Sequence, residues 1–445
     1  MNFVRVAIGL SAALLCLPAA ADELTLPEAL SAALERNPQV RIAQAREQQS
    51  AANRTATRSM WLPHVDVTEA MTQSNNPVFV FASLLEQGRF GAGNFDPRFL
   101  NAPSPLRNYR LGLNVRFTLF DQFRRLEATR QASNGIAQSQ AACNETTQAI
   151  RLDVIAKYFG LLVAEQRRDV AAEAARVADR DAATMRDKFR EGLLVESDAL
   201  AAEVQVASFR QQEIEAAGAV AIARSALNLA IGRDAIADTS VRGPMPDKNF
   251  DERPLAALLA DAVRKRGEIG AAQLASDNAR LQLQITRGAL LPRIDTFASW
   301  GASGPAFANR NGDRSVGAVA TFDIFDGGKL ARVAEARSGV EEARAAEAAA
   351  RSRIELEIIT AYERVRSARQ RTIVAASAVT QAEAAARIVR DRYEQGLTTI
   401  TEHLRAQSAL ANAKFNLLSA RYDDLVGSAD LARATGELHD AESFQ

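Results

Sequence analysis

The sequence predicts a mainly α protein with a smaller β component, assembled as an internal duplication of long helices and short strand pairs. Three observations predict it. Apolar residues recur at helical spacing through proline-free runs much longer than an ordinary globular helix. Four short segments change instead to a period of two. The whole order of segments then occurs twice, with matching residues at its junctions.

Composition agrees with long packed helices. The chain has 445 residues, of which 24% are charged and 6% aromatic. Its 54 basic and 54 acidic residues cancel, so nothing favours a nucleic-acid partner. Residues 1–21 read as a secretory signal: Arg5, an apolar stretch from Ala7 to Leu17, and Ala19-Ala20-Ala21 before Asp22. That stretch is too short to span a bilayer. Cys16 leaves with the signal, so Cys143 stands alone in the mature chain and no internal disulfide can form. No later apolar run is long enough for a transmembrane helix.

The first repeat is expected over 22–233. Short helices from Leu26 to Asn37 and from about Gln39 to Met60 are stopped by Asn37-Pro38 and by Trp61-Leu62-Pro63. A strand follows over about 63–72, with Val65, Val67 and Met71 on one parity; Glu69 is the misfit and should sit near a rim. A looser segment from Gln73 to Asn108 separates it from a strand over about 109–120. There Tyr109, Leu111, Leu113, Val115, Phe117 and Leu119 alternate with polar residues. A long helix over about 122–189 would measure about 100 Å, and a second helix covers about 198–231. A proline-rich linker spans 234–254. The second repeat, 255–436, restarts the order: strands over about 292–300 and 315–325, a long helix over about 328–393, and a helix over about 400–434, with a tail at 437–445. Leu62-Pro63 matches Leu291-Pro292, and Phe120-Asp121 matches Phe325-Asp326. Pro63, Pro292, Asp121, Asp326 and Gly327 therefore mark the helix–strand transitions. Gly327-Gly328 reads as a bend, with no further motif of a phosphate loop.

Each repeat also carries one turn, Phe189-x-x-Gly192-Leu193 and Tyr393-x-x-Gly396-Leu397. Glycine there can take the left-handed conformation that ends a helix, and Leu193 and Leu397 are placed to pack back on the helix they leave. Each turn is the tip of a helical hairpin. The four strands have one apolar face and suit a barrel wall in lipid. Four strands cannot close a barrel, and open edges in hydrocarbon leave backbone groups unsatisfied. The chain is therefore expected to oligomerise, three copies giving twelve strands.

The duplicated order, the Leu-Pro and Phe-Asp junctions, and the Tyr-x-x-Gly-Leu turn resemble the TolC family of outer-membrane efflux proteins over essentially the whole mature chain. The resemblance implies a trimeric channel-tunnel. Its parts would be an α-barrel in the periplasm and a twelve-stranded transmembrane β-barrel in the outer membrane of a Gram-negative bacterium. It implies the passive exit duct of a tripartite efflux or type I secretion system, gated at the periplasmic helix tips. The implied partners are a homotrimer, a periplasmic adaptor, an inner-membrane pump of RND, ABC or MFS type, and outer-membrane lipid. No cofactor and no enzymatic activity are implied.

In the family, acidic residues just after the second turn ring the periplasmic entrance. Aligned on Gly396 and Leu397, Glu402 and Arg405 take the two positions that are often both aspartate; Arg405 reverses the sign. Asp198 takes the column of Glu402 in the first repeat. These three are the gate candidates. The plainer reading is that Thr399-Ile400-Thr401-Glu402 forms a capping box. Gly192, Leu193, Gly396 and Leu397 are the turn positions and candidate adaptor contacts. Trp300 and Tyr109 are candidate interface anchors, and Phe79, Phe81, Leu84 and Leu85 are expected to pack locally. His64, His403 and His439 lie in unrelated segments without metal-ligand spacing, and Cys143 sits in a helix without a nearby His and reads as an inert small helix residue. Two rival readings are a periplasmic adaptor, which lacks duplicated strand pairs, and a structural coiled-coil protein of the envelope, which needs no pore.

Overall fold

The computed structural model describes residues 22–243, 245–246 and 253–438. The expected signal, part of the linker, and the tail from position 439, His439 included, lie outside the described residues. In chain order the elements are β1 (Asp22–Leu24), α1 (Leu26–Arg36), α2 (Pro38–Ser59), β2 (His64–Ser74), α3 (Pro77–Glu86), a 3-10 turn (Ala92–Phe95), α4 (Pro97–Asn101) and β3 (Leu106–Phe120). There follow α5 (Arg124–Arg190), α6 (Glu196–Ala230), β4 (Thr239–Val241), α7 (Leu255–Lys265), α8 (Gly267–Gly288), β5 (Arg293–Gly304), β6 (Asn311–Thr321), α9 (Gly327–Glu394) and α10 (Ile400–Ala434). The 67 residues of α5 and 68 of α9 make each about 100 Å long.

The chain forms two compact units. One takes in residues through 42, 146–266 and those from 354 onward; the other takes in 43–145 and 267–353. The core of the first unit gathers Val154, Ile155, Phe159 and Leu161 of α5, Leu227 of α6, Leu30 of α1 and Ala429 of α10. Tyr158 lies within it, its hydroxyl 2.6 Å from the Arg242 carbonyl and 3.0 Å from that of Leu24. That bond ties α5 to the ends of β1 and β4, which pair in parallel. Two three-residue strands are too short to show a period, and the sequence reading did not anticipate them.

The two repeats use the same device where their short helices meet. Asn37, between α1 and α2, donates from Nδ2 to the Ala230 carbonyl at the end of α6. Arg266, between α7 and α8, donates from Nη1 to the Arg433 and Ala434 carbonyls at the end of α10. Each break thus satisfies carbonyls that a helix end leaves without partners. Gly232 and Gly436 follow those ends at positive φ, packed against Arg36 and Lys265 respectively.

In the second unit β2, β3, β5 and β6 form one antiparallel sheet in that order. β6 spans Asn311–Thr321, not the expected 315–325, and Phe322 and Ile324 fall beyond it. Pairing explains the shift. Arg293 opposes Thr321 at one end and Ser303 opposes Asn311 at the other, through polar residues that alternation cannot mark. β3 likewise begins at Leu106, before the expected 109. The looser segment between β2 and β3 holds two helices. Asn76-Pro77 and Asp96-Pro97 read as breakers, but Asn76 caps Val78 N and Phe79 N, Asp96 caps Arg98 N, and each proline occupies the first turn.

Candidate functional site: the strand wall and the helix tips

The register divides the sheet cleanly into two faces. Val65 opposes Val115, Val67 opposes Leu113, and Met71 opposes Tyr109. Across the next pair Val115 opposes Ala298 and Leu113 opposes Trp300, and beyond it Ala298 opposes Val316. This apolar face is open to the surroundings: Val316 is 83% exposed and Trp300 65%. Antiparallel partners share a face, so the other face collects the polar residues. Asp66 receives Asn114 Nδ2 and Arg116 Nη2, each at 2.9 Å, and Thr118 donates to Asp295 at 2.7 Å. Arg110 pairs with Asp313 at 3.0 Å, and Phe297 lies over Gly317. Glu69, the misfit on the apolar parity, is held bidentate by Arg310 with both contacts at 2.9 Å. Phe307 of the β5–β6 loop packs on Tyr109 at 4.7 Å with the rings 46° apart, and lies beneath the Arg310 guanidinium.

Junction residues hold the strands to their helices. Asp121 accepts from Arg125 N in the first turn of α5 and pairs with the Arg125 side chain at 3.1 Å. That buried guanidinium also lies over Trp61 at 4.6 Å, so Trp61 serves the junction. Asp326 accepts from Gly328 N at 2.8 Å and pairs with Arg332 at 3.1 Å. Pro63 and Pro292 directly precede β2 and β5. The two strand-to-helix bends differ in backbone conformation. The left-handed residues at the strand-to-helix bend are Gln122 (φ 64) and Phe123 (φ 66) of the first repeat; Gly327 and Gly328, their counterparts, are not left-handed. The close approach falls elsewhere, where the Gln122 carbonyl occupies the space that a Cβ on Gly288 would need.

At the tips Gly192 and Gly396 both have φ +73 and open space around them. Gly192 N donates to Phe189 O and Leu193 N to Lys188 O; Gly396 N donates to Tyr393 O and Leu397 N to Arg392 O. This is the Schellman pattern in both repeats. Leu193 and Leu397 do not pack back as expected, being 70% and 62% exposed. Leu194 and Ile400 make that contact instead, with Ala182, Met185, Ala202 and Leu404.

Thr399 caps α10 by accepting from Glu402 N. The expected capping box is only half made, because the Glu402 carboxylate turns to Arg405 Nη1 at 2.9 Å. The two gate candidates of the second turn thus form one exposed ion pair. Asp198, at the start of α6, stands close enough to Tyr393 to act on its phenol; burial first, then Asp198 and Asp181, push that group above its ordinary value.

Sequence reasoning missed the residue that binds these tips together. His403 is buried, with Nε2 3.0 Å from Asp181 Oδ2 on α5. Gln407, one turn along α10, donates to the same oxygen, and Tyr393 stacks on the imidazole at 5.3 Å with the rings 10° apart. Burial pushes the Asp181 carboxyl up, but the bonds from His403 and Gln407 and the charge of Arg180 outweigh it and leave it below its ordinary value. The signal was present: His403 lies between Ile400 and Leu404 on the apolar stripe of α10. Among the described residues no His, Cys, Asp and Glu cluster could hold a metal ion. Burial pushes the Cys143 thiol up, away from reactivity.

A family model described as outer membrane efflux protein matches residues 29–233 and 258–437, which coincide closely with the two repeats. The chain belongs to this family. Among relatives of the outer membrane efflux proteins, Protein CyaE of Bordetella pertussis is 26% identical over 399 residues, covering 88% of this chain and 80% of CyaE. The alkaline protease secretion protein AprF of Pseudomonas aeruginosa is 25% identical over 350 residues, covering 75% and 71%. The crystal structure of the Campylobacter jejuni CmeC outer membrane channel matches with a TM-score of 0.82 at 17% identity, over 98% of this chain and 94% of that one. The fold is that of these outer-membrane channels, a helical barrel joined to a β-barrel. As an outer membrane efflux protein the chain is a passive channel of the Gram-negative outer membrane and not an enzyme. Among the described residues no helix is long and apolar enough to cross a membrane.

Proposed function

We propose that this chain is the trimeric exit duct of a type I secretion or tripartite efflux system, gated at its helix tips. One observation carries the reading. The sheet exposes a continuous apolar face and ends in two strands, β2 and β6, that each pair on one side only. Hydrocarbon tolerates the face but not the edges. Three copies joined β6 to β2 close twelve strands and remove every edge. A periplasmic adaptor and an inner-membrane pump supply direction and energy, and the exposed Leu193 and Leu397 beside Gly192 and Gly396 offer the adaptor an apolar contact at each tip. The name of AprF favours a secreted protein as cargo.

The gate is built from Glu402, Arg405 and Asp198. Because Glu402 and Arg405 pair within one helix, the ring they form in a trimer carries little net charge, and Asp198 supplies the acidic field. Single-channel conductance of purified protein tests this. Arg405→Ala unmasks three carboxylates and should raise cation selectivity and introduce block by polyvalent cations; Glu402→Ala should do the opposite. No change in conductance or block in either variant sinks the gate role. A heat-modifiable trimer in the outer-membrane fraction separates the duct from an adaptor or a soluble coiled coil.

A further inference from the structure

We infer that α3, in the long connection between β2 and β3, lies inside the bore at its outer end and limits the size of what leaves there. The inference rests on the channel reading, since it needs the apolar face of the sheet to meet lipid. The residues that hold α3 are those of the opposite face. Asn108, Arg110, Ser303, Asn311 and Asp313 all belong to the polar parity fixed by the strand register. The last residue of α3, Glu86, accepts from Asn108 Nδ2 at 3.3 Å and from Ser303 Oγ at 3.2 Å, and pairs with Arg110 Nη1 at 3.3 Å. Its carbonyl accepts from Asn311 Nδ2 at 3.0 Å. Gln87 adds bonds from Nε2 to the Arg107 carbonyl at 2.9 Å and to Asn108 Oδ1 at 3.0 Å.

This is a built contact and not a loop resting on a surface. Asn108, Ser303, Gln87 and Ser83 are all buried, as are Val80 and Leu84 of α3. Gly88 turns the chain at φ +63 with Asn311 against it. Phe81, Phe90 and Phe95 then stack edge to face at 4.8 and 5.1 Å, which keeps the rest of the connection compact. Buried polar groups that are fully partnered hold one arrangement strongly. The magnitude decides what this does to a bore. Twelve strands about 4.8 Å apart and tilted about 45° make a wall about 26 Å across between backbones. A helix with its side chains is about 10 Å across. Three of them, one per protomer, fill most of the space left by inward side chains, so α3 becomes the size filter of the outer mouth.

Cysteine labelling on intact cells tests this. In a Cys143→Ala background, Ser315→Cys places a thiol on the polar face below α3, and Val316→Cys places its neighbour on the lipid face. A small membrane-impermeant maleimide and a PEG-maleimide are added from outside. With α3 intact the small reagent labels Ser315→Cys and the PEG reagent does not. Removing residues 77–101, or breaking the charged contact with Glu86→Ala plus Gln87→Ala, should raise PEG labelling about tenfold or more. The double substitution leaves both strands whole, so the test stands if the deletion fails to assemble. Equal PEG labelling with α3 intact and altered overturns the filter while leaving the channel. Labelling of Val316→Cys in preference to Ser315→Cys reverses the faces and overturns both.

Discussion

His403→Ala is the sharpest perturbation of the helix tips. The buried imidazole lies 3.0 Å from the Asp181 carboxylate and 3.0 Å from Gln407 Nε2, and stacks on Tyr393. A hydrogen bond to a charged group contributes about 1.5–3 kcal/mol, and an aromatic stack adds about 0.5–1.5 kcal/mol. The Asp181 side chain is 27% exposed, so water recovers part of its solvation once the imidazole is gone. The expected loss is therefore in the lower half of the sum, about 2–3 kcal/mol of local stability. Hydrogen exchange followed by mass spectrometry on the detergent-solubilised protein reads it. Peptides over 181–188 and 400–407 should exchange about 30- to 150-fold faster, while the core around Tyr158 and Leu227 keeps its protection. The pH dependence follows from Asp181. Its carboxyl is held below its ordinary value, so it contributes stability that is present above the unfolded value of about 3.9 and lost as pH falls through the folded one. The gap between wild type and His403→Ala should be full at neutral pH and shrink in strong acid. A change of less than about threefold at the tips, or an equal change in the core, refutes this account.

Two further perturbations separate causes that a static structure presents together. Gly192→Ala and Gly396→Ala meet no atoms, so each should cost only the left-handed backbone penalty of about 1–2 kcal/mol in denaturant unfolding. Gly232→Ala adds a clash with the Arg36 main chain, 3.0 Å from the new Cβ, and should cost more; equal losses refute the distinction. Arg310→Ala strips Glu69 of its partner on the lipid-facing parity and should reduce the heat-stable assembly by about 1–3 kcal/mol. Glu69→Gln in the same chain should restore most of it, and a double variant as weak as the single one refutes the pairing.

The strand faces were legible because lipid and water impose opposite chemistry on alternate residues. Val65, Val67, Leu111, Leu113, Val115 and Ala298 all fall where their parity put them. Strand ends were less legible for the same reason: at Asn311 to Asp313 both parities are polar or glycine, and only pairing with β5 defines the strand. The helices of the β2–β3 connection were hidden by Asn76-Pro77 and Asp96-Pro97, since a cap followed by proline starts a helix with the residues that also end one. His403 was hidden by its type. A polar residue on an apolar stripe is discounted until a partner such as Asp181, 222 positions away, is brought beside it.

The differences between the repeats fall where a ring of two alternating hairpins would need them. The frame is held in common: Asn37 and Arg266 cap the last helices, Gly232 and Gly436 turn after them, and Gly192 and Gly396 close the tips in one geometry. Identical repeats would make every tip equivalent and give all of them the same charge and the same latch. Here the second tip alone has the Glu402–Arg405 pair and the His403–Gln407 contact, while the first contributes Asp181 to His403 and Gln407, and Asp198 beside Tyr393. The contacts therefore run from one repeat to the other, and a change at one tip alters the energy of its neighbour. The same division places α3 in the first repeat only, so the proposed trimer would hold three such helices and not six. Six helices of about 10 Å would overfill a bore of about 26 Å. That trimer would accept the long connection in the first repeat only while the β5–β6 connection stays short.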